Sequence, residues 1–286
     1  MTIYDKLARA IPASVGNVMG NLFWYALMAG AAWLVFYVVF RRPLGHRRIS
    51  DRPVTRQQVT REMLHSVRSI CIFGAVTGLV VYAILSGWTR MYFRDPSYGW
   101  GWFVGSLAVM IVLHDTYFYW THRLMHHPWI FRKVHRTHHL SLSPSPWAAY
   151  AFSPVEAFVQ AGIGPLIVFT VPAHPGAFGI FMLWQITFNV LGHCGYEVLP
   201  GWIMRTPVGR VLNSVTHHAQ HHEKFRANYG LYFNVWDRLM GTNHAEYEER
   251  FAEVTSRPAA GWSKQPTPLV LGDAESCSMR ALEASS

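Results

Sequence analysis

Three long apolar stretches constrain this chain more than any other feature. Asn21–Phe40 runs without a charged residue, Ile70–Trp88 does the same, and Trp102–Thr121 contains only His114 and Asp115 among groups that carry charge near neutrality. At about 1.5 Å of rise per residue, each approaches the roughly 30 Å of a bilayer's hydrocarbon core. Buried core helices are the competing reading. Composition argues against it, because 51% of residues are hydrophobic and only 14% charged, where soluble domains average about 25% charged. The pattern predicts an all-α fold, an integral membrane helical bundle. Met1–Gly20 does not read as a cleavable signal, since the apolar run after it is long and leads into Arg41-Arg42.

The net charge of +9 has a local source: Arg41–Arg68 holds eight arginines against Asp51 and Glu62. A basic loop between two spans marks the cytoplasmic face. Topology and anionic head groups account for the charge more simply than nucleic acid, so no nucleic-acid partner is expected. With that loop inside, Thr89–Gly101 lies outside and the third span returns, delivering His122 to the cytoplasmic surface. Arg123, Arg132, Lys133 and Arg136 follow there. Two shorter apolar pieces, Ala157–Ala173 and Ala177–Gly192, flank a Pro-Ala-His-Pro-Gly turn and read as a hairpin that dips in and comes back to His193. The division expected is 1–101 for two spans and their basic loop, 102–250 for a domain with a cytoplasmic histidine-rich helical cap, and 251–286 for a disordered tail of Ala, Ser, Pro and Gly.

Eleven of the sixteen histidines fall in two windows, His114–His139 and His217–His222. Three boxes stand out: His122 with His126; His135 with His138 and His139; His218 with His221 and His222. Residues three or four apart on a helix share a face, so each box points imidazoles into one small volume. Neutral imidazole is a strong ligand for iron, zinc and copper. Eight or nine such groups exceed the four ligands of a structural zinc site, and two metals fit the count. His114, Phe118, His122 and His126 form one i, i+4 ladder; Asn189, His193 and Glu197 form another. On spacing alone His193 is either a further ligand or an ordinary hydrogen-bonded residue. His127 and His217 point off the shared faces and read as supporting groups, while His46, His65 and His244 read as surface. Asp115, Glu197 and Asp237 are either acceptors that orient imidazoles or ion-paired surface groups.

Other chemistries lack their motifs. Cys71, Cys194 and Cys277 make no CxxC pair, and core packing suits the first two. His222-Glu223 has no second histidine four residues on, which excludes a zincin. His174-Pro175-Gly176-Ala177 is like the HPGG of b-type cytochrome domains but sits in an apolar turn. There is no dinucleotide-binding GxGxxG, so reducing equivalents must come from a separate electron-transfer protein. A metal transporter would need ligands within the membrane path, and a bis-histidine haem protein would leave most of these histidines idle; both remain as distant alternatives.

The boxes together with Tyr119-Trp120-Thr121-His122-Arg123, Asn228-Tyr229-Gly230 and Trp236–Thr242 resemble the fatty acid hydroxylase / sterol desaturase superfamily. The run HPWIFRKVHRTHHLSLSPSPWAAYAFSPVEAF is similar to its C-5 sterol desaturase branch. The resemblance covers roughly residues 102–243. It implies an integral-membrane enzyme with two non-haem irons, using O2 and two electrons to hydroxylate a fatty acyl or sterol-like lipid or, alternatively, to desaturate it. It also implies that the box histidines and His193 hold the irons. The third box departs from the common His-Asp-x-His-His in having Ala219 after His218. The membrane implied is a bacterial inner membrane or the endoplasmic reticulum.

Overall fold

The computed structural model describes residues 1–94 and 98–259. α1 (Ile3–Trp33) continues through a π-helical turn to Val39, α2 is Arg56–Leu85 and α3 is Trp100–Met125. All three are long and apolar enough to cross a membrane, with mean hydropathy of 1.9, 1.9 and 1.3. α1 begins well before the uncharged run because Thr2 and Asp5 form a capping box, each side chain bonding the other's backbone N–H. α2 starts at an N-cap Thr55, whose hydroxyl accepts from Gln58 N–H. Arg56, Arg61 and Arg68 of the basic segment are therefore helical. Arg61 and Arg68 donate to the carbonyls of Leu140 and Phe152, tying the charged end of α2 to the histidine-bearing half.

α1 and α2 pack where glycine allows it. A Cβ on Gly74 would run into Val18, and one on Gly78 into the Ser14 hydroxyl, so the Gly74-x-x-x-Gly78 face brings the backbones close. The expected hairpin is present as α6 (Pro154–Ala161), α7 (Ile163–Thr170) and α8 (Pro175–Gly192), with proline in the first turn of α6 and α8. It goes deeper than a shallow dip. Trp102 Nε1 donates to Pro172 O at 2.7 Å and Tyr92 N–H to Ala173 O at 3.2 Å, so its turn reaches the connection between α2 and α3. Met110, Ile163, Ile167 and Phe181 fill the space between α3 and this hairpin. Tyr25, Ile70, Tyr150, Ile186 and Val190 join α1 and α2 to the other side of α8.

The opposite end carries α4 (Pro128–Val134), α5 (Arg136–His139), α9 (Val215–Lys224), α10 (Val235–Leu239) and α11 (Tyr247–Ser256). This cap is anchored at the end of α1. Phe36 and Tyr37 pack on Tyr196, and Ile49 is buried with Cys194, Val215 and Val254. The histidine-rich segments thus sit at the same end of the bundle as the basic loop. The expected tail needs its boundary moved. Residues 251–256 are helical, and Phe251 and Val254 are buried, because an apolar face of α11 closes the cap. The remainder of that tail from 260, and Cys277, lie outside the described residues. Cys71 is exposed on α2 instead of packed, whereas Cys194 is buried with its thiol donating to Tyr196 O.

Candidate metal centre

Nine histidines converge in two adjacent groups. His122, His126, His135, His139 and His221 form one, and His138, His193, His218 and His222 the other; within each, one ring nitrogen per residue lies within 4.8 Å of all the others. These are the nine expected ligands, but the groups do not follow the boxes. The i, i+4 pairs His135/His139 and His218/His222 each stay together, while His138 and His221 go to the opposite group from their neighbours. Successive helical residues diverge by about 100°, so each adjacent pair splits between the two groups. The groups touch through His139 and His222, with ring centroids 4.7 Å apart.

The local structure explains each placement. His122 is on the last turn of α3, and His126 is its C-cap. His193 caps the C-terminus of α8, and Ser214 caps the start of α9 by accepting from His217 N–H. After α9 the chain reverses through Phe225 and Asn228, both left-handed at φ 64° and 61°. A left-handed phenylalanine costs about 1–2 kcal/mol. Phe225 nevertheless packs on the His139 ring at 4.9 Å. The reversal also turns two carbonyls back onto the site. Ala227 O accepts from His221 Nδ1 at 2.7 Å, and Tyr229 O from His122 Nδ1 at 2.8 Å. Asn228 secures the loop by donating to His217 O and accepting from His244 N–H, and Asp237 accepts from the N–H groups of Tyr229 and Gly230.

Those acceptors fix the tautomers. With Nδ1–H donating, Nε2 must carry a lone pair. The same holds for His193, whose Nδ1 meets Asn189 O at 2.6 Å, and for His135, whose Nδ1 meets Glu156 Oε1 at 2.7 Å. The Nε2 atoms of His122 and His135 nevertheless stand 3.0 Å apart, with no proton left to place between them. His193 Nε2, with its lone pair free, stands 3.0 Å from His218 Nε2 and 3.3 Å from His138 Nε2. Facing lone pairs repel, whereas a cation between them is attracted to all. Donors bound to one metal at about 2.1 Å stand roughly 3.0–3.4 Å apart for angles of about 90–110°, which matches these spacings. Burial first, and neighbouring imidazoles second, hold His135, His139, His218, His221 and His222 well below the ordinary imidazole value. They are neutral donors at neutral pH. The residues present fit a pair of metal ions.

Of the three carboxylates singled out from sequence, none bonds an imidazole of either group. Asp115 accepts from the N–H groups of Tyr232 and Phe233, Glu197 from Thr216 and Leu199, and Asp237 holds the loop just described. Glu197 falls off its ladder because α8 ends at Gly192. The carboxylate that does reach one of these imidazoles is Glu156, fully buried beside His135, where burial pushes its carboxyl well above the usual range. It sits in the first turn of α6, remote from every box, and only the fold brings it there. His217 is buried against Tyr247 with its Nε2 3.6 Å from Asp237, and His127 begins α4; neither joins a group. His46, His65 and His244 are half-buried and also stand apart.

A family profile described as fatty acid hydroxylase matches residues 107–242. A Delta(7)-sterol 5(6)-desaturase of Gibberella zeae is 32% identical over 230 residues, covering 80% of this chain and 68% of that protein. Lathosterol oxidase of Mus musculus is 30% identical over 228 residues, covering 79% and 73%. The human lathosterol oxidase is 27% identical over the same length. No solved structure matches.

Proposed function

Because the chain belongs to the fatty acid hydroxylase family, we propose that it is a membrane-bound oxidoreductase that oxidises a C–H bond of a lipid, using O2 and a pair of iron ions held by the nine histidines. The observation that carries this reading is the convergence of buried imidazole Nε2 lone pairs in two groups. His122, His126, His135, His139 and His221 would hold one iron; His138, His193, His218 and His222 would hold the other. Bound iron would supply the O2-dependent redox chemistry that no side chain possesses.

The chain's own residues do the positioning. Glu156, Asn189 O, Ala227 O and Tyr229 O each hold an Nδ1–H, which fixes the ring plane and keeps Nε2 free to ligate. Phe118 packs on His122 and Phe152 on His138, so the membrane-facing side of both groups is apolar. That arrangement brings a lipid's hydrocarbon to the donors while excluding water. The basic end of the bundle is cytoplasmic on the charge argument, which leaves the centre open to a separate electron-transfer protein. Nucleic acid has no role in this scheme.

Two outcomes share the first hydrogen removal. Hydroxylation consumes O2, two electrons and two protons, adds one oxygen to carbon and releases one water. Desaturation consumes the same inputs, removes two hydrogens from adjacent carbons and releases two waters. The relatives quoted above are named for sterol desaturation or lathosterol oxidation, and on that support we favour desaturation of a sterol-like lipid, with hydroxylation as the second reading. Lipid profiling of cells with and without the gene under labelled dioxygen tests both. A product short of two hydrogens supports the first, and one carrying labelled oxygen the second. Absence of any O2-dependent lipid change rules out the enzyme assignment.

A further inference from the structure

Below the histidine groups, among α1, α2, α3 and the α6–α8 hairpin, lies a cavity of about 150 Å³. Most of its wall is apolar, including Phe118 and Phe152, the two rings that pack on His122 and His138. The cavity therefore abuts both groups across these two rings. Its wall also carries buried polar side chains at a depth where bundle residues are normally apolar. His114, Gln160, Gln185 and Asn189 are each 9% exposed or less. Polar residues among membrane helices that face a cavity mark what passes through it.

Among the described residues, the protein leaves some of these groups half satisfied. His114 Nδ1 pairs with the Tyr232 hydroxyl at 2.8 Å, but its Nε2 has no protein partner. Gln185 donates through Nε2 to the Tyr150 hydroxyl, while its amide oxygen has no partner. Both atoms keep accessible surface, and both residues line the cavity. Their depth agrees: His114 precedes His122 by eight residues on α3, and Gln185 precedes His193 by eight on α8. Eight residues of helix span about 12 Å. One donor-or-acceptor pair thus faces the cavity two helical turns beneath the metal ligands.

We propose that His114 and Gln185 bind an uncharged hydroxyl on the rigid body of the lipid substrate and so set which carbon reaches the histidine groups. This rests on the reading of the centre as a lipid oxidase. The hydroxyl must be neutral, because no Asp, Glu, Lys or Arg lines the cavity among the described residues and an unpaired charge there would be strongly disfavoured. Two turns of helix separate the pair from the histidine groups, so the hydroxyl lies on a part of the substrate set back from the reacting carbon, and a rigid fused polycycle transmits its position to that carbon. The aromatic wall of Phe118, Tyr150, Phe152 and Phe181 suits such a flat body.

The test is equilibrium binding of tritiated cholestanol, its parent hydrocarbon cholestane and cholestanyl sulfate to the full chain in nanodiscs. Wild type should prefer cholestanol over cholestane by about tenfold or more, because the analogue leaves His114 and Gln185 unpaired. It should reject the sulfate. His114→Phe should erase the preference by weakening cholestanol alone, Gln185→Met should reduce it, and His114→Gln, which keeps a hydrogen-bonding group, should restore much of it. In turnover, His114→Phe should raise KM for a 3-hydroxysteroid and scatter the site of oxidation. The proposal is overturned if wild type shows no preference, if the sulfate binds equally, if His114→Phe retains full preference, or if that variant weakens both neutral probes alike. Failure of the oxidase reading looks different: a His114-dependent preference in protein that oxidises no lipid. Lipid oxidation with a preference indifferent to His114 defeats this proposal alone.

Discussion

Glu156→Ala should loosen one metal and leave the other in place. The carboxylate accepts from His135 Nδ1 at 2.7 Å, and both residues are at most 1% exposed. Removing it strands a buried N–H, which costs about 1–3 kcal/mol, and frees the imidazole to rotate away from its group. At about 1.4 kcal/mol per decade, that predicts a loss of about 10–100-fold in metal affinity, the range typical of such supporting carboxylates. The effect should be confined to the His122, His126, His135, His139 and His221 group, because the histidine that Glu156 bonds belongs to it. Glu156→Gln keeps an oxygen at the acceptor position and should lose no more than about tenfold. The assay is metal content of purified protein against graded chelator, with circular dichroism confirming helicity. Wild type should surrender both metals at high chelator, and Glu156→Ala one of them at 10–100-fold less. Chelator resistance equal to wild type, or parallel loss of both metals, refutes the reasoning.

Single Ala substitutions at His122, His138 or His221 should abolish turnover while leaving membrane insertion intact; full activity in any one counts against the two-group centre. Asp237→Ala removes the acceptor of the Tyr229 and Gly230 N–H groups, at about 1–3 kcal/mol each. It should lower the melting temperature in detergent and metal retention by the His122 group together, and a change in melting temperature alone would contradict the proposed support of Tyr229 O. Cysteines placed at Asp51, Gly99 and Glu249 on a background without native cysteines test topology. Those at 51 and 249 should label from the cytoplasm and the one at 99 from outside, and any other pairing overturns the single-face arrangement.

The bundle was legible because lipid-facing helices have to be apolar for a fixed length, and three apolar runs announced them. Their starts were less so. α1 reaches back to Ile3 through the Thr2–Asp5 capping box, a short polar signal that an uncharged-run search passes over. Eight of the nine histidines stood out by i, i+3 and i+4 spacing and His193 joined them through the family resemblance, yet their division between groups was not legible, since it depends on where α3, α5, α8 and α9 meet. Glu156 and the carbonyls of Asn189, Ala227 and Tyr229 left no histidine-like pattern to find. A backbone carbonyl has no residue identity, and Glu156 comes beside His135 only through the packing of α6. His114 was noted as a rung of the α3 ladder, but its role emerged from the cavity it faces.

Iron-binding stoichiometry tests the central claim most directly. Purified chain, stripped of metal and titrated anaerobically with ferrous iron, should saturate at two irons per chain without haem absorbance. Saturation should restore O2-dependent lipid oxidation in the presence of an electron donor, and His138→Ala should lower the endpoint. An endpoint of two irons supports the pairing of the five- and four-histidine groups. An endpoint of one or none, or a haem spectrum in the active protein, contradicts it.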